Sequence, residues 1–154
     1  MISELNEKQE KYMKKAIQYL RVFLRDDENY NVLLNARESS DEELEFAILM
    51  TISDYNSTEP YLDPVHIDTY PSFSLLMTGA SIYALKSAGL IQKRNGLQYQ
   101  VANSSFQRFG KGNEYLNWVQ NLLQEYESKM RSYKVSKNVS QAMGMKGVHS
   151  EYLM

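Results

Sequence analysis

The 154-residue chain predicts a mainly α fold, a helical bundle with one long C-terminal helix and a small β-hairpin. Apolar residues recur at spacings of three and four in several separate stretches, as helices that bury one face require. The last of these stretches continues for about five turns, longer than a small core needs. Between them, Asn95-Gly96 followed by alternating Leu97, Tyr99 and Val101 suits a two-residue hairpin turn.

The first helix is expected from about Leu5 to Arg25, on the stripe Tyr12, Met13, Ala16, Ile17, Leu20, Phe23 and Leu24. The acidic stretch Arg25 to Asn29 ends it. A connector follows, in which Val32 to Leu34 form an apolar cluster the size of one helical turn. Ser39 or Ser40, with Glu42 or Glu43 three residues on, predicts a capping box for the second helix, whose first turn is acidic. From Leu44 to Ile52 its apolar residues are nearly continuous, so it is expected to be buried on most sides and to form the centre of the core.

Pro60, Pro64 and Pro71 break the helical pattern over 56–72. A loop of that length either carries function or is packed down through Tyr61, Leu62, Val65, Ile67 and Tyr70. The third helix is expected from Ser72 or Phe73 to Ser87, with Leu75, Leu76, Ile82 and Leu85 on its apolar side. Gly79 inside it marks a close approach, and Gly89 after it reads as a stop. The hairpin is then expected at 90–101, turned at Asn95-Gly96, with Leu90 opposite Val101 and Arg94 opposite Leu97. The last helix is expected from about Asn113 to Val135, on Tyr115, Leu116, Val119, Leu122, Leu123, Tyr126, Met130 and Tyr133. Residues 1–135 thus form one domain, and 136–154, with two glycines and little periodicity, form a tail that orders on a partner.

Composition narrows the chemistry. The chain has no cysteine, which excludes disulfides and thiolate metal sites. Charge at the start of the sequence and the lack of an apolar run of about 18 residues lead to the expectation of a protein made in a cytoplasm. Net charge is −2, divided unevenly: residues 1–60 hold 7 Lys/Arg against 13 Asp/Glu, and residues 131–154 hold 4 against 1. Such asymmetry suits a solvated surface, or ends that dock on oppositely charged neighbours.

Catalytic and cofactor signals are weak. His66 and His149 have no second histidine at helical spacing, so no metal site is expected. Asp63 and Asp68 flank His66 without a partnered nucleophile. The glycines of "GKGN" at 110–113 precede a helix but lack the spacing of a phosphate loop. No enzyme and no cofactor are expected.

A winged-helix reading remains. It makes the third helix the reader of a nucleic acid through Ser74, Thr78, Ser81 and Lys86, with Lys93 and Arg94 at the tip of a wing. The proline loop stands where the preceding helix of a helix-turn-helix belongs, and the reading face carries one cation among four residues. Affinity for DNA rests on several phosphate contacts, so this surface is poorly equipped.

Residues 16–56, with Leu20-Arg21-Val22, then Asp26-Asp27, then the buried helix from Asp41 to Tyr55, resemble the opening of the head-to-tail connector proteins of tailed bacteriophages, also called adaptor, head-completion or neck proteins. The other end, "YESKMRSYKVSKNVSQAMGMKGVHSEYLM", is similar to the C-termini of some of those proteins. The resemblance implies a structural virion protein located in the neck, in a homo-oligomeric ring of about twelve copies between the portal protein and the next tail component. Genomic DNA would pass through its channel without specific binding, and no membrane is involved. It implies a portal-docking tail including Lys137, Asn138, Met143, Lys146, Val148, Tyr152 and Leu153. In the subunit interface, Lys93 and Arg94 would meet an acidic surface of the next copy, with Asp26, Asp27 and Glu42 as its candidates.

Overall fold

A computed structural model of the chain describes residues 7–30, 36–94, 98–101, 104–107 and 112–144. The fold is mainly helical, with four helices among the described residues: α1 Glu7–Leu24, α2 Asp41–Ser57, α3 Phe73–Arg94 and α4 Gly112–Ala142. α3 packs against each of the other three, and α1 also touches α2.

α1 buries Met13, Ala16, Ile17 and Leu20, whereas Tyr12 and Phe23, expected in the same stripe, are exposed. The helix closes on Arg25 in the left-handed region (φ 59°). The Arg25 N–H donates to Val22 O at 3.3 Å and the Asp26 N–H to Arg21 O at 3.0 Å, the paired bonds of a Schellman stop. That turn folds Asp26 back beneath Arg21. Arg21 Nη1 then donates to Asp26 Oδ2 and to Ser39 O, both at 2.9 Å, and Nη2 to Asp41 Oδ1 at 2.5 Å. Asp26 in turn accepts from the N–H groups of Glu38 (2.6 Å) and Ser39 (3.1 Å). The Arg21–Asp26 pair, through its bonds to Glu38, Ser39 and Asp41, therefore ties the end of α1 to the start of α2.

Ser40 caps α2, and Glu43 completes the capping box by accepting from the Ser40 N–H at 2.8 Å. α2 is buried along one face only, at Leu44, Ala47, Ile48, Thr51, Ile52 and Tyr55, and Phe46 is 61 % exposed. The central helix is α3 instead. Residues 75–82 are buried without interruption, because Gly79, Ala80 and Ser81 are small enough to admit neighbours on every side. A Cβ on Gly79 would stand 2.8 Å from the Tyr126 ring and closer still to the Thr51 methyl. Phe73–Ile91 is long and apolar enough to cross a membrane by length and composition, and half of it is buried within this chain, as a central helix requires.

α3 runs through Gly89 to Arg94, past the expected stop. An interior glycine costs about 1 kcal/mol, too little to break a helix that good helix formers continue. The hairpin expected at 90–101 is consequently not shown. Residues 90–94 are helical, so neither Leu90 nor Arg94 pairs as a strand, and Asn95 and Gly96 lie outside the described residues. The strand pairing that is described joins Gln98–Val101 to Ser104–Gln107, antiparallel, with Val101 opposite Ser104.

The proline loop is packed down. Asn56 holds it like a strand partner, donating from Nδ2 to Val65 O and accepting from Val65 N, both at 2.9 Å. Val65 and Ile67 are buried and Tyr70 is partly so, while Tyr61 is exposed.

Candidate interaction surfaces

α4 continues seven residues beyond the expected end at Val135. Its 31 residues span about 46 Å. It buries Val119, Tyr126 and Met130 against α3, and then a charged residue, Lys134, at 1 % exposure. Lys134 Nζ donates to Tyr55 O at 2.5 Å and to Thr58 O, and lies 4.7 Å from the centroid of the Tyr55 ring. A cation thus sits on the carbonyls that α2 leaves unpaired at its C-terminus, where the helix dipole favours positive charge. Burial pulls the Lys134 pKa below the ordinary lysine value.

Past Lys134 no described residue is buried, and α4 overhangs the core by about 12 Å. Val135, Val139 and Met143 recur every fourth position along this overhang and are 46 %, 50 % and 64 % exposed. A monomer gains nothing from such a stripe, since each residue leaves apolar area in water at about 25 cal/mol per Å².

At the other end of the core, the start of α2 and the end of α3 enclose a groove of about 640 Å³. Ala84, Ser87 and Ala88 form its floor, Phe46 and Ile91 its apolar walls, and Glu38 and Glu42 its rim. Its lining contains no lysine or arginine among the described residues. Beside it, around Leu85, Ala88 and the exposed Trp118, lies a smaller recess of about 280 Å³.

A seam of tyrosines fills the contact between α2, the proline loop, α3 and α4. Tyr70 and Tyr126 share a hydrogen bond at 3.3 Å, and Tyr83 donates to Asp54. The Tyr55 hydroxyl is buried without a hydrogen-bond partner among the described residues. Burial raises the pKa of all four, Tyr55 to about 12, and the Asp54 carboxylate holds that of Tyr83 up further.

The residues singled out in the sequence fall in different places. Asp26 is buried and fully engaged inside the chain by Arg21, Glu38 and Ser39, so its carboxylate is not offered to a neighbour. Asp27 accepts from Asn29, which lowers its pKa. Glu42 is exposed on the groove rim, and Arg94 is exposed in α3. Lys137, Asn138 and Met143 lie on the α4 overhang; Lys146, Val148, Tyr152 and Leu153 lie outside the described residues. Of the expected nucleic-acid face, Thr78 and Ser81 are buried, their hydroxyls donating to Ser74 O and Thr78 O. α3 cannot present that face to a duplex. His66 is exposed, and the neighbouring Asp68 pairs with Lys8 at 3.2 Å. No group of three or more potential metal ligands occurs among the described residues.

Sequence reasoning missed both Lys134 and the groove. Lys134 stands four residues after Met130, on the apolar stripe, which was the available signal. Ala84, Ser87 and Ala88 repeat at helical spacing and mark a face of small side chains. Comparison of the chain with family models, with curated proteins and with solved structures found no match.

Proposed function

We propose that this chain is a structural subunit of a tailed-bacteriophage neck, one of about twelve copies in a ring between portal and tail that encloses the DNA channel and catalyses nothing. The observation that carries the reading is the α4 overhang, a helical extension past the last buried residue with Val135, Val139 and Met143 exposed. A surface of that kind is a contact surface in an assembly. The resemblance of residues 16–56 and of the C-terminal stretch to connector proteins supplies the kind of assembly.

Charge is consistent with this role. An acidic first third and a net charge of −2 let a duplex pass without being held, since retention would need a row of cations against its phosphates. In this reading the long C-terminal helix is the arm of the subunit, and the residues beyond Met143, with Lys146, Val148, Tyr152 and Leu153, reach the portal. Glu42, Asp27 and Arg94 face a neighbouring copy; the Lys93 side chain lies outside the described residues.

Co-sedimentation with the cognate portal ring tests the docking. The full chain is expected to travel with the portal, and a chain ending at Gly144 is expected to be left behind. Equal binding by both would contradict a portal-docking tail. A full chain that ignores the portal yet binds duplex DNA, with affinity falling steeply as salt rises, would return the nucleic-acid reading.

A further inference from the structure

We propose that the groove between α2 and α3 receives the α4 overhang of a second copy of this chain, so that subunits join head to tail. This rests on the ring reading and adds the interface that builds it. The two surfaces lie at opposite ends of one molecule. Lys134 fixes the root of the overhang beside Tyr55 and Thr58, at the C-terminus of α2, whereas the groove is made by the N-terminus of α2 and the C-terminus of α3. A subunit therefore cannot fill its own groove, and an overhang seated in the next copy leaves a groove and an overhang open at the two ends. Contacts of this heterologous kind close into rings when the rotation between copies allows.

The dimensions agree. From Val135 to Met143, one residue past the end of α4, the overhang spans about 12 Å, and so does the groove along α3 from Tyr83 to Ile91, each advancing eight residues. Small residues on the floor, Ala84, Ser87 and Ala88, let a helix axis come within the usual 8–10 Å of α3. Val135, Val139 and Met143 then lie between Phe46 and Ile91, which are themselves 61 % and 46 % exposed in the single chain.

The charges agree as well. The groove rim carries Glu38 and Glu42 with no cation in the lining among the described residues, and from Ser128 to Gly144 the chain is basic with no acidic residue. Lys134 is engaged inside the chain and Lys129 with Glu125, which leaves Arg131 and Lys137 for a neighbour. Arg131, exposed and four residues before Val135, stands in the same row as Val135, Val139 and Met143 and is the cation on the docking face, whereas Lys137, two residues from both valines, lies on the opposite side of the helix. Opposite charges at such an edge set orientation and speed encounter more than they add affinity, and salt screens them.

The absence of cysteine from the chain makes a cross-linking test clean. Val139→Cys and Ser87→Cys place one thiol on the overhang and one in the groove, both at exposed positions. Mixed in equal amounts, with and without the portal ring, and treated with a short bismaleimide, they are expected to give a covalent dimer that neither variant gives alone. Adding Phe46→Lys to the Ser87→Cys chain is expected to abolish it. Val139→Cys dimers formed without the partner variant, or equal linkage to Lys14→Cys on the outer face of α1, would overturn the interface. A ring that assembles on the portal with no 87-to-139 link would also overturn it while leaving the ring reading intact. Chains that remain single with and without the portal would overturn both.

Discussion

Lys134 is the residue on which the geometry of the overhang depends. It closes the C-terminus of α2 with a cation and fixes α4 against it, so the point at which α4 leaves the core is set by this contact. Lys134→Met keeps most of the apolar stem but leaves Tyr55 O and Thr58 O without their donor. Exchanging a whole buried polar pair for apolar groups can be neutral; removing one partner is not. The expected loss is about 1–3 kcal/mol, read as a lower urea midpoint at unchanged slope. The tyrosine seam makes a second prediction, on pH. Tyr55, Tyr70, Tyr83 and Tyr126 hold their protons more tightly in the folded chain than the ordinary value of 10.0, Tyr55 up to about 12. The stability this represents is complete below about pH 10 and is lost as pH rises through the folded values. Lys134 acts in the opposite sense only below its ordinary 10.5, which leaves the window above to the tyrosines. Unfolding followed by circular dichroism is expected to show stability falling between about pH 10 and 12. Tyr55→Phe, which also removes a buried hydroxyl without a partner, is expected to flatten that fall and to raise stability at neutral pH. Unchanged pH dependence in Tyr55→Phe would show that its ionisation is not coupled to unfolding.

Among the helices, Gly79 decides how closely α2, α3 and α4 meet. In an exposed helix Gly→Ala would stabilise by about 1 kcal/mol. Here the new methyl would meet the Thr51 side chain and the Tyr126 ring in a tightly packed crossing, and overpacking of that kind costs about 1–3 kcal/mol. Gly79→Ala is therefore expected to lower the thermal midpoint, and Thr51→Ser to recover part of the loss by removing the methyl it meets. Full additivity of the two would place the clash elsewhere. The helices themselves were legible because the signals that mark them are local. The Ser40 and Glu43 box and the proline breaks each depend on a few neighbouring residues and are found, and of the α1 stripe Met13, Ala16, Ile17 and Leu20 are buried while Tyr12 and Phe23 are not. Where the reading failed, a tertiary contact outweighed a local rule. The continuous apolar run of α2 suggested the centre of the core, but small residues in α3 give that place to α3. Gly89 and Asn95-Gly96 are strong punctuation, yet the helix continues through the first and removes the strand that would have preceded the second.

For the whole molecule, the sequence shows charge asymmetry and an overlong last helix, and the structure turns these into a direction, with an apolar basic overhang at one end and an acidic groove at the other. The groove was not legible in the sequence, because it is made by residues some 40 positions apart that share no motif. Asp26 shows the converse. In sequence it is one of a surface-looking acidic pair, and folding places it under Arg21. Because the facing charges lie at an exposed edge, self-association is expected to weaken between about 0.05 and 0.5 M salt while remaining detectable, since the apolar stripe is not screened. The proposed role is that of a ring subunit assembled on a portal. Mass photometry of the purified full chain with its cognate portal tests it most directly. The portal is expected to gain one discrete mass step equal to a whole ring of subunits, about twelve for a portal of that symmetry. A portal mass unchanged at saturating chain concentration, with the chain itself remaining a monomer, would contradict it.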